Sequence, residues 1–105
     1  MTEEEAVSRE YELRIGKFPF TANGKSRAMG EAAGMVKLIF NKKNDELLGG
    51  HIVGVEATEL INELAVLKSL HGTGESIIQT IHAHPTLSES IVEATGVAYE
   101  EAINI

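Results

Sequence analysis

The chain has 105 residues, 43% of them hydrophobic and 24% charged, with a formal net charge of −7 and no cysteine. That length supports one domain with one core. The acidic balance disfavours a nucleic-acid phosphate surface as partner, and the lack of cysteine removes disulfides, thiol nucleophiles and thiolate metal sites. No apolar run approaches the roughly 20 residues that cross a bilayer, and the acidic start Thr2-Glu3-Glu4-Glu5 does not fit a signal or transit peptide. A cytoplasmic protein is the expectation.

Thr2 followed by three glutamates predicts a capped, short helix ending by Arg9 or Glu10. Tyr11, Leu13 and Ile15 alternate with Glu12 and Arg14, which predicts a half-buried strand with Pro19 at its end. Residues 21 to 34 read as a long connection with a helical turn near Gly30–Ala33, and its basic pair, Lys25 and Arg27, reads as solvated loop. Met35–Phe40 and Leu47–Val55 predict two further strands joined by the polar turn Lys42–Glu46. Gly49-Gly50 predicts a bulge or a close neighbour, and His51 reads as structural.

Leu60, Ile61, Leu64, Leu67 and Leu70 or His71 recur at helical spacing, with Gly72 as the predicted stop. Thr73 is placed to cap a short helix, Gly74 to Thr80, that buries Ile77, Ile78 and Ile81. Leu87, Ile91, Ala94 or Thr95, Ala98 and Ala102 form the apolar face of a last helix. The expected fold is α+β: one domain over residues 1–105, a two-layer sandwich in which an antiparallel meander of about three strands is packed by helices.

Only His82-Ala83-His84-Pro85-Thr86-Leu87-Ser88-Glu89 suggests chemistry. Pro85 pushes His84 toward extended backbone and gives the preceding peptide bond access to cis. Glu89 has two readings. In one it closes a capping box with Thr86; in the other it accepts a hydrogen bond from His84, fixing the tautomer and orienting the ring. The two can coexist, one on each oxygen. His82, His84 and Glu89 could also hold a metal, but no further histidine or cysteine stands nearby. If His84 is an acid/base, the nucleophile, electrophile and cofactor come from elsewhere, since the chain carries no nucleophile elbow and no G-x-G-x-x-G. The residues thus describe a half-site.

These residues resemble the C-terminal interface domain of dihydrolipoamide dehydrogenase and its relatives among the pyridine nucleotide-disulfide oxidoreductases. The likeness extends over Thr2–Ala6, Phe18-Pro19-Phe20, Ala22–Ala28, Leu48–Gly54, Ala57–Glu63 and the final Ile103-Asn104-Ile105. It implies that His84 exchanges a proton with a dithiol and that Glu89 polarises it. It implies a cis His84-Pro85 bond, with His82 and Pro85 beside the flavin of the partner subunit. It further implies FAD and NAD in the parent enzyme, with neither expected on this chain alone. The implied partners are a second copy, the parent's FAD and NAD domains, and the lipoyl-bearing acyltransferase of 2-oxo acid dehydrogenase complexes. The family's interface domain opens with one more strand than this chain, and the redox cysteines and nucleotide domains lie outside it. The alternatives are a stand-alone dimerisation module, or the same domain from a glutathione- or mercuric-reductase-type enzyme.

Overall fold

A computed structural model describes residues 1–24, 30, 33–54 and 56–103. The expected helical turn at 30–33 and the basic pair Lys25 and Arg27 fall on or among residues outside that set. Three strands, β1 (Leu13–Pro19), β2 (Gly34–Asn41) and β3 (Leu47–Gly54), form one antiparallel sheet in the order β1-β2-β3. This is the expected meander. Its helices are α1 (Glu3–Ser8), α2 (Ala57–Ser69), α3 (Gly74–Gln79) and α4 (Glu89–Ile103).

Paired residues share a sheet face. One face carries Phe18, Val36, Leu38, Phe40, Leu47 and Ile52, and these pack with Leu60 and Leu64 of α2, Ile77 of α3 and Ile91, Ala94 and Ala98 of α4. The strand β1 departs from its expected pattern. Its buried position is Gly16, not Ile15 or Tyr11. A Cβ at Gly16 would lie 1.8 Å from the Ala94 carbonyl oxygen and 2.9 Å from the Ala98 amide nitrogen. Strand and helix therefore touch backbone to backbone, which alternation of apolar side chains does not register. The opposite face is partly covered by α1, whose Ala6 is fully buried, and Ile39 on that face is fully buried too. Glu3 pairs with Lys37 at 2.7 Å and thereby ties α1 to β2.

Both expectations for Gly49-Gly50 hold. The register slips between Ile39 and Phe40, which pair with Gly49 and Leu47 and leave Leu48 as the extra residue. A Cβ at Gly49 would meet the Met1 carbonyl at 1.9 Å, and one at Gly50 would meet Leu64 at 2.7 Å. His51 Nε2 stands 3.2 Å from the same Met1 carbonyl, a structural role.

Helix α1 is capped as expected: the Thr2 hydroxyl accepts from Glu5 N–H. Helix α2 ends earlier than expected, at Ser69. The left-handed residue is His71, with φ 55°, not Gly72. The amides of Gly72 and His71 bond back to the Leu67 and Lys68 carbonyls at 2.8 and 3.1 Å, a Schellman closure. The His71 ring also meets Glu46 at 2.9 Å. Leu70 consequently points outward, as do Val66 and Ile78, while Ile81 is 97% exposed. Burial of Ile78 and Ile81 was expected, but α3 is only six residues long and buries one side, through Ile77. Its Thr73–Ser76 capping box is present.

A polar cluster fastens the sheet to the helices. Asp45, in the β2–β3 turn, accepts from the Tyr99 hydroxyl of α4 and from the Glu75 amide at the start of α3. It also faces Arg14 at 3.5 Å, whose guanidinium lies 5.1 Å from the centre of the Tyr99 ring. Burial first, and Asp45 second, push the Tyr99 phenol well up, so it remains a neutral donor.

Candidate functional site

Between α3 and α4 the chain crosses the end of the molecule as a loop, residues 80–88, without helix or strand. Its middle is the cis His84-Pro85 bond. The His84 side chain is 80% exposed, and its Nδ1 lies 2.9 and 3.1 Å from the two Glu89 carboxylate oxygens. Nε2 is on the far side of the ring, turned away from the acid. A histidine held this way donates Nδ1–H to the carboxylate and keeps Nε2 as its basic atom.

Both readings of Glu89 are realised, though not on separate oxygens. Oε1 accepts from the Thr86 amide at 3.0 Å and also faces His84 Nδ1. Half of the expected capping box is therefore present. The other half is not: the Thr86 hydroxyl donates to the Ala83 carbonyl at 2.7 Å, and the helix starts at Glu89 rather than Leu87. The doubled-back loop brings that carbonyl within reach, and the entry turn is closed instead by Ser90 N–H to Leu87 and Ile91 N–H to Ser88, each at 3.0 Å. The Thr86 amide is the main cause holding the Glu89 carboxyl below the usual range; burial opposes it, and His84 adds to it.

His84, Pro85, Glu89 and Glu93 line an open cleft of about 270 Å³ together with Phe18, Asn23 and Gly24. His82 is not part of it. Its Nε2 meets Glu63 of α2 at 2.8 Å, its Nδ1 meets the Thr80 carbonyl at 3.0 Å, and the side chain is only 8% exposed. The two histidines thus point to different sides of the loop, and among the described residues no group of three His, Asp or Glu side chains is arranged to hold a metal ion. The glycine pair Gly49-Gly50 lies within β3, where Met1 and Leu64 fill the space around it, so this pair cannot cradle a phosphate.

Sequence reasoning missed three residues of the site. Asn23, buried at 5% exposure, donates from Nδ2 to the Thr86 carbonyl at 3.0 Å across 63 positions of sequence. Glu63 reaches His82 across 19 positions. Glu93 lies one helical turn beyond Glu89, a spacing that could have suggested a second acid at the cleft.

The fold and cleft define a small α+β domain that presents a carboxylate-braced histidine at its surface, in a chain without cysteine. The chain belongs to the pyridine nucleotide-disulphide oxidoreductase dimerisation-domain family, whose profile matches residues 1–95. It is 48% identical over 104 residues to a dihydrolipoyl dehydrogenase of Rhizobium etli and 43% identical over 104 residues to the mitochondrial dihydrolipoyl dehydrogenase of Pisum sativum. Each alignment takes in 99% of this chain but only 22% and 21% of those proteins. The chain therefore spans about a fifth of the length of the relatives it matches. Among solved structures, the HOCl-induced flavoprotein disulfide reductase RclA from Escherichia coli superposes with a TM-score of 0.88 at 26% identity, over 92% of this chain and 22% of that one.

Proposed function

We propose that the chain is the dimerisation domain of a flavin-dependent dihydrolipoyl dehydrogenase, and that His84 and Glu89 act as an acid/base pair at a dithiol/disulfide centre in the partner subunit. The observation that carries this is the exposed His84 ring at the cleft, with Nδ1 held by Glu89 and Nε2 on the side of the ring away from that acid. Nε2 takes the proton from one thiol of a dithiol substrate. The resulting thiolate attacks one sulfur of the disulfide, so that a mixed disulfide forms as the old S–S bond breaks and the other sulfur leaves as thiolate. The Glu89 carboxylate stabilises the imidazolium until its proton is returned to a thiolate. FAD and NAD belong to the parent's other domains and supply the electron transfer. Pro85, on the cleft wall, is the residue we set nearest the partner's flavin. His82, bound to Glu63, serves that place by holding the loop rather than by contact.

We set the second copy on the exposed apolar side chains Val66 and Leu70 of α2, Ile78 of α3 and Ile81, three residues before His84. The dithiol would come from the lipoyl-bearing acyltransferase of a 2-oxo acid dehydrogenase complex, in the cytoplasm. The likeness to RclA favours, as a second reading, the same domain in a related flavoprotein disulfide reductase. Changing His84→Gln in the full-length flavoprotein tests the proposal. An acid/base role predicts a loss of roughly 10²–10⁴ in rate with the dimer intact. An unchanged rate, or a dimer that falls apart, would leave a purely structural histidine.

A further inference from the structure

The loop that presents His84 is held almost entirely by side chains. Among the described residues, backbone–backbone hydrogen bonds secure its two ends, at Thr80 and Leu87, and none joins residues 81–86. A loop without ladder bonds takes its conformation from whatever else binds its polar groups. Two anchors do so here, one on each side of His84. Upstream, the buried His82 ring donates Nε2–H to Glu63 of α2, and its Nδ1 lies 3.0 Å from the Thr80 carbonyl. Downstream, the buried Asn23 amide holds the Thr86 carbonyl, while the Thr86 amide is held by Glu89. The second anchor continues directly into the pair: Asn23 fixes the Thr86 peptide, that peptide fixes Oε1 of Glu89, and Oε1 fixes Nδ1 of His84.

We infer that Glu63 and Asn23 are positioning residues for His84, acting through the His82 ring and the Thr86 carbonyl respectively. The inference rests on the reading of His84–Glu89 as an acid/base pair. It adds that the aim of the imidazole is set by α2 and by the turn after β1, while the hydrogen bonds of the ring itself go to Glu89. Without either anchor the loop keeps its sequence and its pair, but the ring spends less time on Glu89.

The tautomer of His84 reports this directly, because it is set by the bond that the other nitrogen makes. The experiment is ¹⁵N NMR of the histidine side chains in the 105-residue chain, at a pH well above the histidine range. The wild type is expected to hold His84 mainly as Nδ1–H. Glu63→Ala and Asn23→Ala are each expected to shift the Nδ1–H to Nε2–H ratio by about 2- to 10-fold, the range that one net hydrogen bond carries. Glu63→Gln keeps an acceptor for His82 and should restore the wild-type ratio. Lys68→Ala, an exposed charge near the end of the same helix, should change nothing.

An unchanged ratio in Glu63→Ala and Asn23→Ala overturns the inference, and so does an equal shift in Lys68→Ala. If Asn23→Ala fails to fold, Glu63→Ala decides alone, since alanine is the best helix former at that position. A wild type that lacks the Nδ1–H form is a different outcome: it removes the acid/base reading itself.

Discussion

Adding one methyl group at Gly16 tests how α4, and the acid at its start, is registered on the sheet. In Gly16→Ala the new Cβ begins 1.8 Å from the Ala94 carbonyl oxygen, with the Ala98 amide nitrogen at 2.9 Å. Both neighbours are backbone, so no rotamer change relieves the clash. The gap must widen to at least 3.0 Å, and the whole helix has to lift from β1. Overpacking of this kind costs about 1–3 kcal/mol. For a domain of this size each kcal/mol lowers Tm by about 4–8 °C, so the expected loss is about 5–20 °C. Thermal unfolding of the 105-residue chain, followed by far-UV circular dichroism, measures it. A variant that melts within about 2 °C of wild type would refute the argument, because the backbone contact would then not bear on stability.

Tyr99→Phe removes the hydroxyl that Asp45 accepts and should cost about 1–2 kcal/mol, the value for a charged acceptor discounted for partial exposure. A urea titration reads it as a lower midpoint with an unchanged slope. Acid should weaken the fold through Glu89 and Glu3, held below the ordinary value of 4.5 chiefly by the Thr86 amide and by Lys37. A lowered folded-state value means that this stabilisation is complete above 4.5 and is lost as pH falls through the folded values, so urea midpoints should decline from pH 5 to pH 3. Glu89→Gln should flatten that decline, and an equally steep decline in the variant would contradict it. Ile81→Asp should leave Tm of the chain within about 2 °C, since the side chain is already in water, yet weaken self-association of the full-length protein on sizing.

The parts of this molecule written in short-range pattern were readable from the sequence. The three strands, the Thr2 and Thr73 caps and the face of α2 through Leu64 all follow from periods of two or 3.6 and from residues three apart. His84 and Glu89 belong to the same class, five positions apart around a proline. What escaped depends on approach between distant segments. Gly16 has no side chain to mark it as the buried position of β1, so Tyr11, Leu13 and Ile15 looked like the inner face. Asn23 and Glu63 act on the loop only after the chain has folded back on itself. The left-handed turn at His71 went to the residue that could also bond Glu46, where a rule based on glycine points one residue later.

One carboxylate oxygen, Oε1 of Glu89, serves both the first turn of α4 and the imidazole. Any change at position 89 is therefore felt twice, by the scaffold and by the ring, and an activity lost there cannot be apportioned between folding and chemistry. Retuning the base without loosening its helix has to begin at a neighbour that does only one of those jobs.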